Sequence, residues 1–423
     1  MALANLAAVL TLLTGRRWIG LLTVAMLAVA HTVWWLSTLA EVYTWSVAGL
    51  TAELWLLVVL VRRPSGQRLA GLAFVSGLGL SLHNLALLPL PIYFVLVIVL
   101  IVRKRLAGWA LAVGAVAWLA GASVYLGFVI HHAVATGDIV ATMRSALFGR
   151  YAAQVLNASS LSQNFKANMA LSALNFISML APLAIVGWLR MGRRIGRPLT
   201  AALGAVTAME VLFFIRYPVP DQFTFILPTM VMVALSAGIG LSVLADTSRR
   251  VRICTMLLCI ASVIASPALY AAGPTLLRSA GIRVSRSRKL PFRNEMRYWL
   301  IPWKQNEDSA WRFSVAALTR APSGSIILAD STSVYPLLVT RGTDPQFEGI
   351  RIPEFGLLSS SYEDDPQGYR AKLAGRSLYI VSPGQEGLSP QLLADTEAKP
   401  CPADSPVLYR LEWKQPPATA PGR

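Results

Sequence analysis

The chain has 423 residues, of which 55% are hydrophobic and only 14% are charged. Its mean hydropathy of +0.55 excludes a water-soluble globular protein, because apolar residues outnumber what a soluble surface tolerates. The net charge of +17 would suit a nucleic-acid-binding protein, but the basic residues fall in short clusters between apolar runs. That pattern indicates membrane topology, so we expect the lipid bilayer as a partner and no nucleic acid.

Ten apolar runs follow one another in the first two thirds of the chain. Most approach the roughly 20 residues that a helix needs to cross the hydrocarbon core, although the first is clearly too short. The runs cover residues 2–15, 18–38, 44–61, 69–83, 85–102, 107–129, 170–189, 198–215, 224–244 and 253–272. The pattern predicts an α-helical polytopic membrane protein with about ten transmembrane helices, which form a membrane domain over residues 1–272.

Basic clusters occur at every second boundary between the runs. They hold 15 basic residues, against 4 at the alternate boundaries. The clusters are Arg16 and Arg17; Arg62, Arg63 and Arg68; Arg103, Lys104 and Arg105; Arg190, Arg193, Arg194 and Arg197; and Arg249, Arg250 and Arg252. Because cytoplasmic loops carry the excess of lysine and arginine, the alternate boundaries at 39–43, 84–91, 130–169 and 216–223 are predicted to lie outside the cytoplasm.

An even number of passes then places both ends of the chain outside. The apolar start carries no basic flank, so we expect one further helix and a loop upstream of Met1. The longest predicted outer loop, 130–169, mixes charged and apolar residues and predicts an interfacial helix that lies along the outer surface.

The composition changes after Gly273, where proline, glycine, serine and charged residues become common. Short apolar runs predict strands at 325–329, 377–381 and 407–413, and the segments 308–320 and 364–374 are predicted helices. Strands that alternate with helices favour a small C-terminal α/β domain outside the cytoplasm. We therefore predict a basic aromatic linker over 273–306, the α/β domain over 307–414 and a disordered tail over 415–423.

Two acidic residues at predicted outer boundaries are candidates for chemistry. Glu41 lies in HTVWWLSTLAEVYTW and Asp221 in RYPVPDQFTFILP. A solvated loop carboxylate is the simpler interpretation of Glu41. Arg216 could bind a lipid phosphate through its guanidinium group, or it could form an ion pair with Asp221.

Polar and aromatic residues at the same predicted depth are further candidates. An aromatic belt at the membrane interface would account for Trp34, Trp35, Tyr43 and Trp45, and the same side chains could stack on a sugar ring. His83 and Asn84 occupy an outer turn, where a histidine is often a hydrogen-bonded structural residue. Arg150 lies in the long outer loop, and it could converge with Glu41, His83 and Asp221 on one cavity.

Two other acidic residues, Glu53 and Glu210, are predicted nearer the middle of their helices. They should face the interior of the bundle and pair or form hydrogen bonds there, in a structural role. The basic aromatic segment 286–304 suits contact with anionic headgroups or with a lipid-linked phosphate.

The sequence contains no Walker loop, dinucleotide fingerprint, zinc-helix motif or nucleophile elbow in the right context. Cys254 and Cys259 share one apolar run and Cys401 stands alone, so no disulfide framework follows. We predict no metal ligands and identify no cofactor, and a requirement for a divalent metal stays open.

Three segments carry a family resemblance: HTVWWLSTLAEVYTW, GLGLSLHNLALLPLP and RYPVPDQFTFILP, in this order. They resemble the bacterial relatives of the eukaryotic plexin-type protein O-mannosyltransferase, within the GT-C membrane glycosyltransferases. In that family an acidic AEVY-like turn, a glycine-rich helix that ends near a histidine, and a Pro-Asp loop follow one another. The segment LPFRNEMRYWLIPWK, followed by SIILADSTS, also resembles the linker and first strand of the extracytoplasmic domain of bacterial members.

The resemblance implies a GT-C-like membrane fold in the bacterial cytoplasmic membrane. It also implies transfer of a sugar from a polyprenyl-phosphate carrier to an extracytoplasmic protein or glycan acceptor, by inversion, with a carboxylate as general base. The implied catalytic residues are Glu41 and Asp221. Contacts with the donor phosphate or substrate are expected from His83, Asn84, Arg150, Arg216, Tyr43 and Trp34.

The sequence departs from the family pattern at its start. GT-C enzymes carry their leading catalytic acid in the first outer loop, after a first helix that this chain lacks. We expect either that the acid lies upstream of Met1 or that the chain is a degenerate relative. A non-catalytic carrier-lipid binder or flippase-like protein is the main alternative function. A secondary transporter is less favoured, because no inverted repeat is visible.

Overall fold

The structure, a computed structural model, describes residues 1–149, 161–216, 221–282, 290–353, 362, 365–373, 375–385, 387–402 and 406–414. The chain divides into two compact units. Unit 1 comprises Met1–Leu276 and Leu300–Trp303, and unit 2 comprises Leu277–Trp299 and Lys304–Arg423. The predicted domain boundary at 272/273 and the other domain limits stay predictions.

Unit 1 is built of helices. They are α1 (Ala2–Thr14), α2 (Arg17–Ala28), α3 (His31–Ser37), α4 (Val42–Arg62), α5 (Gly66–Leu82), α6 (Leu90–Val102), α7 (Ala110–Thr136), α8 (Ile139–Phe148), α9 (Leu161–Asn175), α10 (Leu180–Ile195), α11 (Arg197–Arg216), α12 (Ile226–Ala245) and α13 (Arg249–Ser279). Short 3₁₀ turns, Asn84–Leu87 and Gln222–Phe225, precede α6 and α12. The predicted last span was expected to end at 272, but α13 continues to Ser279.

Six helical segments of the described residues are long and apolar enough to cross a membrane. Two bent pairs could each form one more span: α2 with α3, which meet at 78°, and α9 with α10, which meet at 98°. The described residues thus contain six to eight candidate spans, and the predicted ten are not confirmed. The difference arises because α1, with 13 residues, and α5, with 17, fall short of the roughly 20 residues that a perpendicular span needs.

Helix α12 forms the centre of unit 1. Seventeen of its 20 residues are buried, as expected for a helix that is apolar on all sides. It packs against α1, α2, α4, α10 and α11. The position of this helix therefore fixes the positions of most others in the unit.

Glycines allow the closest helix approaches. A Cβ atom at Gly187 of α10 would overlap the carbonyl oxygen of Ser236 on α12, and one at Gly240 would overlap the carbonyl oxygen of Leu183. The Oγ of Ser236 also donates a hydrogen bond to the carbonyl oxygen of Ala184, at 2.9 Å. Small residues at such crossings let helix backbones come together in a membrane, where van der Waals packing holds helices to one another.

Helices α5 and α7 approach in the same way. A Cβ atom at Gly77 would overlap the carbonyl oxygen of Trp118, and one at Gly121 would overlap that of Phe74. Most of α7 is otherwise exposed, as expected for a helix that contacts lipid. The glycine contact is thus the main attachment of α7 to the unit.

The break in each bent helix pair is closed by polar groups. The backbone N–H of Thr32 donates to Oδ1 of Asn175 at 2.8 Å, and Nδ2 of Asn175 donates to the Thr32 hydroxyl at 2.9 Å. Tyr270 of α13 donates to the carbonyl oxygen of Leu174 at 3.1 Å. Since backbone groups freed at a helix break must find partners in a membrane, these bonds hold the two breaks against each other.

Two of the predicted cytoplasmic clusters meet at one end of unit 1. Arg16 forms an ion pair with Asp246 at 2.6 Å, and Arg194 also pairs with Asp246. Arg105 donates to the carbonyl oxygen of Val61 at 3.0 Å, which joins two further clusters. We name this the Asp246 end; which side of the membrane it faces stays a prediction.

Unit 2 contains a four-stranded sheet. Its elements are α14 (Glu295–Leu300), α15 (Ser309–Arg320), β1 (Ile326–Leu328), α16 (Val334–Thr343), α17 (Pro366–Lys372), β2 (Leu378–Ile380), α18 (Pro390–Asp395), β3 (Thr396–Cys401) and β4 (Leu408–Trp413). The strand order is β1-β2-β4-β3, in which β1 and β2 are parallel and the other pairs antiparallel.

Strands β1 and β2 are buried on both faces of the sheet. Ile327 and Tyr379 pack with α15 and α16 on one face, while Ile326, Leu378 and Ile380 form part of a second core on the other. The strands predicted at 325–329, 377–381 and 407–413 are present as β1, β2 and β4. Strand β3 was not predicted because its sequence, TEAKPC, lacks an apolar run.

The glycine crossing of α10 and α12 generates a stability prediction. Gly187→Ala should lower the midpoint of thermal unfolding in detergent, because the added methyl group would force the helices apart; such overpacking costs about 1–3 kcal/mol. Gly192→Ala is a matched control in the same helix, where the space beyond the glycine is open. It should leave the midpoint unchanged or raise it, since alanine favours a helix over glycine by up to about 1 kcal/mol. Equal midpoints for the two variants would contradict the packing.

Candidate functional site

A tyrosine and an aspartate from distant parts of the sequence meet at the end of unit 1 opposite Asp246. Tyr43 begins α4, and its hydroxyl donates a hydrogen bond of 2.6 Å to Oδ2 of Asp221. Asp221 precedes α12 and Asp246 follows it, so the two ends lie about 30 Å apart along a 20-residue helix. The contact brings together the predicted outer boundaries 39–43 and 216–223.

Glu41 lies beside this pair, directly before α4. Its side chain is exposed. Partial burial of the carboxyl group raises the pKa of Glu41, and the negative charge of Asp221 adds to the effect. A carboxylate with a raised pKa is a stronger base than a solvated glutamate, so Glu41 is suited to accept a proton from a bound hydroxyl group.

His83 faces the same tyrosine. The centroids of the His83 and Tyr43 rings are 5.2 Å apart. Nδ1 of His83 accepts a hydrogen bond of 3.1 Å from the backbone N–H of Leu85, so the neutral ring carries its proton on Nε2. Burial lowers the pKa of His83, and the charge of Asp221 only partly offsets that effect. The neutral ring therefore carries one N–H donor, at Nε2.

Aromatic rings pack against Tyr43 and His83. The ring of Phe225 lies 5.4 Å from that of Tyr43 and 6.1 Å from that of His83, in edge-on geometry. The ring of Trp35 lies 5.2 Å from that of Phe223, in the same turn. The sequence analysis named Trp34 and Trp35 among the candidate aromatics, placed only Trp34 among the expected substrate contacts, and missed Phe225; the available signal was the FTF triplet that follows the candidate Asp221.

The turn that carries Asp221 is anchored on its far side. Nε2 of Gln222 donates to Oδ1 of Asn168 at 2.9 Å and to the carbonyl oxygen of Phe214 at 3.0 Å. The hydroxyl of Thr224 donates to the backbone carbonyl oxygen of Asp221 at 2.8 Å. These bonds hold the Asp221 carboxylate in place beside Glu41.

The other predicted site residues have separate positions. Asn84 donates to the carbonyl oxygen of Ala146, at 2.7 Å, and so secures α8. Trp34 packs on Trp303, with ring centroids 5.2 Å apart. Arg216 ends α11 and is half-buried. Arg150 lies outside the described residues.

An apolar cavity of about 360 Å³ in unit 1 adjoins the first turns of α4. Ser37 and Thr44, which flank Glu41 in the sequence, lie on its wall. Other wall residues are Trp45, Ala48, Leu227 and Val231. Glu41, Tyr43, His83 and Asp221 do not line the cavity, but Thr44 directly follows Tyr43 on α4. An apolar space of this kind suits the chain of a ligand that also has a polar head.

The described residues contain no group of three or more histidine, cysteine, aspartate or glutamate side chains that could hold a metal ion. Mg²⁺ is often held by one or two carboxylates together with substrate phosphates and water, so the requirement for a divalent metal stays open.

The apolar helices define this chain as a polytopic membrane protein. Residues 7–106 match the family described as protein O-mannosyl-transferase TMEM260 N-terminal domain. The match covers roughly a quarter of the chain and supports a relation to that family. It contains Glu41, Tyr43 and His83, whereas Asp221 lies outside it. No curated protein and no solved structure matches the chain.

The hydrogen bond to His83 generates a pH prediction. The folded state favours the neutral ring, so its contribution to stability is present above the unfolded pKa of about 6.5 and is lost as the pH falls through the lower folded value. Between about pH 7 and pH 5, the thermal midpoint of the wild type should therefore fall further than that of His83→Asn, whose side-chain oxygen can still accept from Leu85.

The control is His131→Asn on α7, where the histidine is exposed. This variant should keep the pH dependence of the wild type. If His83→Asn followed the wild-type curve as well, the neutral, hydrogen-bonded state of His83 would be refuted.

Proposed function

We propose that this protein is a membrane glycosyltransferase. It transfers a mannose-like hexose from a polyprenyl-phosphate carrier to a hydroxyl group of a protein or glycan outside the cytoplasm. The observation that carries the proposal is the convergence of Glu41, Tyr43, His83 and Asp221 in a chain related to an O-mannosyltransferase family. The polyprenyl donor, the side of the membrane and the acceptor are parts of the proposal.

In the proposed reaction, Glu41 takes the proton of the acceptor hydroxyl group. The acceptor oxygen forms a bond to the anomeric carbon, the bond from that carbon to the phosphate oxygen breaks, and polyprenyl phosphate leaves with the bonding electrons. Attack from the face opposite the phosphate inverts the anomeric centre. No covalent intermediate or external oxidant is required.

Asp221 acts in this proposal through its charge and its position. Its negative charge strengthens Glu41 as a base. It also lies where a positive charge that develops on the sugar ring would be stabilised. Tyr43 holds Asp221 in place through their hydrogen bond, so we treat Tyr43 as a positioning residue.

Contacts with the donor follow from the surroundings. The N–H at Nε2 of His83 is a donor for a sugar hydroxyl or phosphate oxygen, and Arg216 offers a guanidinium group that suits a phosphate. The apolar cavity beside Thr44 and Trp45 would take the first part of the polyprenyl chain. A non-catalytic carrier-lipid binder would use the same cavity but would need no base.

The proposal is tested by transfer of radiolabelled sugar from polyprenyl-phosphate-linked donors in membranes that contain the chain. Glu41→Gln should lower the transfer rate by about 10²–10⁴-fold, the range for loss of a general base. Binding of the donor should change little. Glu348→Gln, at an exposed glutamate of unit 2, is the control substitution. Donor binding without transfer by the wild type would favour the non-catalytic alternative.

The pH dependence gives the same assignment a second test. A general base works in its ionised form, so transfer should decline as the pH falls through the raised pKa of Glu41. Glu41→Gln should lose this acidic limb in its residual activity. A limb that persists in Glu41→Gln would assign the base to another residue.

The hydrogen bond between Tyr43 and Asp221 generates a further prediction. Tyr43→Phe should lower the transfer rate by about 10-fold, since a hydrogen bond to a charged group contributes about 1.5–3 kcal/mol, while the acidic limb that reports Glu41 should remain. Tyr125→Phe is matched, because Tyr125 also donates to an oxygen, the carbonyl of Ala146, at 2.6 Å. Equal rates for the two variants would argue against a positioning role for Tyr43.

A further inference from the structure

Four oxygen-bearing side chains lie together in the interior of unit 1, away from the candidate site. Glu53 of α4 is 1% exposed and Glu210 of α11 is 2% exposed. Tyr93 of α6, which is 3% exposed, donates a hydrogen bond of 3.0 Å to Oε2 of Glu53. Glu210 is close enough to interact electrostatically with both Glu53 and Tyr93. We name Glu53, Ser76, Tyr93 and Glu210 the inner acid cluster.

The cluster contains a polar atom that the described structure leaves without a hydrogen bond. Oε2 of Glu210 is buried and has no hydrogen-bond partner among the described residues. The hydroxyl of Ser76 on α5, which is 1% exposed, lies beside the Glu53 carboxyl group and interacts with it. A buried polar atom without a partner costs free energy, so Oε2 of Glu210 indicates a missing hydrogen or ligand at this point.

No positive charge balances the two acids. Among the described residues, no lysine, arginine or histidine pairs with Glu53 or Glu210, and the titratable groups that act on them are each other and Tyr93. An isolated carboxylate in an apolar interior is strongly disfavoured, and two neighbouring carboxylates also repel each other. Something positive must therefore accompany them.

We propose that the inner acid cluster is a proton-binding site, in which Glu53 and Glu210 are both held as neutral carboxylic acids. A protonated carboxyl group is a donor as well as an acceptor. Among the described residues no donor reaches Oε2 of Glu210, and protonation lets this group itself donate a hydrogen bond to a neighbouring oxygen. The proton on Glu53 still leaves one oxygen to accept from Tyr93. A metal cation fits less well, because the cluster offers only two carboxyl groups and two hydroxyls where hard cations take about six oxygen ligands.

The cluster joins the helices that carry the candidate site. Glu53 lies ten residues, or about 15 Å, along α4 from Tyr43. Ser76 lies on α5, which ends directly before His83, and Glu210 lies on α11, which ends at Arg216. Loss of the protons would create two repelling charges between these helices, and the helices would then separate. The bound protons hold α4, α5, α6 and α11 together beneath Tyr43 and His83.

The first test is the pH dependence of thermal unfolding of the full chain in detergent. Because the folded state holds the protons more tightly than the unfolded state, stability is complete at low pH and is lost as the pH rises. The wild-type midpoint should fall by more than about 4 °C further than that of the Glu53→Gln/Glu210→Gln double variant between about pH 6 and pH 10. Glutamine mimics the neutral acid but does not titrate. Parallel curves would overturn the proposal.

The decisive measurement of the second test is made on the wild type, so it does not depend on whether a variant folds. Infrared spectra of the wild type at neutral pH should contain the carbonyl stretching band of buried protonated carboxyl groups, which ionised carboxylates lack, and the band should disappear at high pH. Glu41→Gln, at the exposed candidate site, should keep the band, and the double variant should lose it where it folds. Absence of the band from the wild type at neutral pH would refute the site.

A comparison of salts distinguishes binding of Na⁺ by the inner acid cluster from binding of protons. If the cluster held Na⁺, NaCl would raise the wild-type midpoint above that in choline chloride of equal ionic strength, and the double variant would not respond. That result would overturn proton binding. Equal midpoints in the two salts, together with the pH difference, support it.

Discussion

The burial of α12 is the constraint on which the rest of the membrane unit depends. An apolar helix surrounded by others can be contacted closely only where small residues remove side-chain bulk, and Gly187 and Gly240 do so at the crossing with α10. Once α12 is held there, its two ends are fixed as well. Asp246 then receives Arg16 and Arg194 at one end, and Asp221 receives Tyr43 at the other.

This arrangement explains how residues that are far apart in the sequence form one site. Asp221 follows 178 residues after Tyr43, yet each is attached directly to an end of a packed helix, α12 or α4. Gln222, which follows Asp221, is fixed through bonds to α9 and α11. The precision that the proposed catalysis requires is thus supplied by helix packing and by these bonds.

Much of the candidate site could be predicted from the sequence, since Glu41, Tyr43, His83 and Asp221 were selected by type and predicted depth. The choice of Trp34 over Trp35 could not be made reliably, because α3 has only seven residues and follows a bend of 78°. Hydropathy carries no information on such a bend, and so it cannot show which side chains of α3 face the site. Hydropathy also fails for the number of spans, because α5 is apolar but too short to cross a membrane. It fails for strand β3 as well, because β3 has a polar sequence and is recognisable only by its pairing with β4 at the sheet edge.

The glutamates of this protein show how position decides the chemistry of one side chain. Glu41 is exposed directly before α4 and beside Asp221, and partial burial of its carboxyl group together with the charge of Asp221 raises its pKa, so it can exchange protons with a ligand. Glu53 lies within α4 in an interior where no described cation pairs with it, and in our proposal it is held there in its neutral form. About twelve residues therefore separate Glu41, an acid available for reaction, from Glu53, an acid that in our proposal holds helices together. The inner acid would be unnecessary for sugar transfer alone, and its presence is explained if the helices beneath the site must be held together by a group that responds to pH.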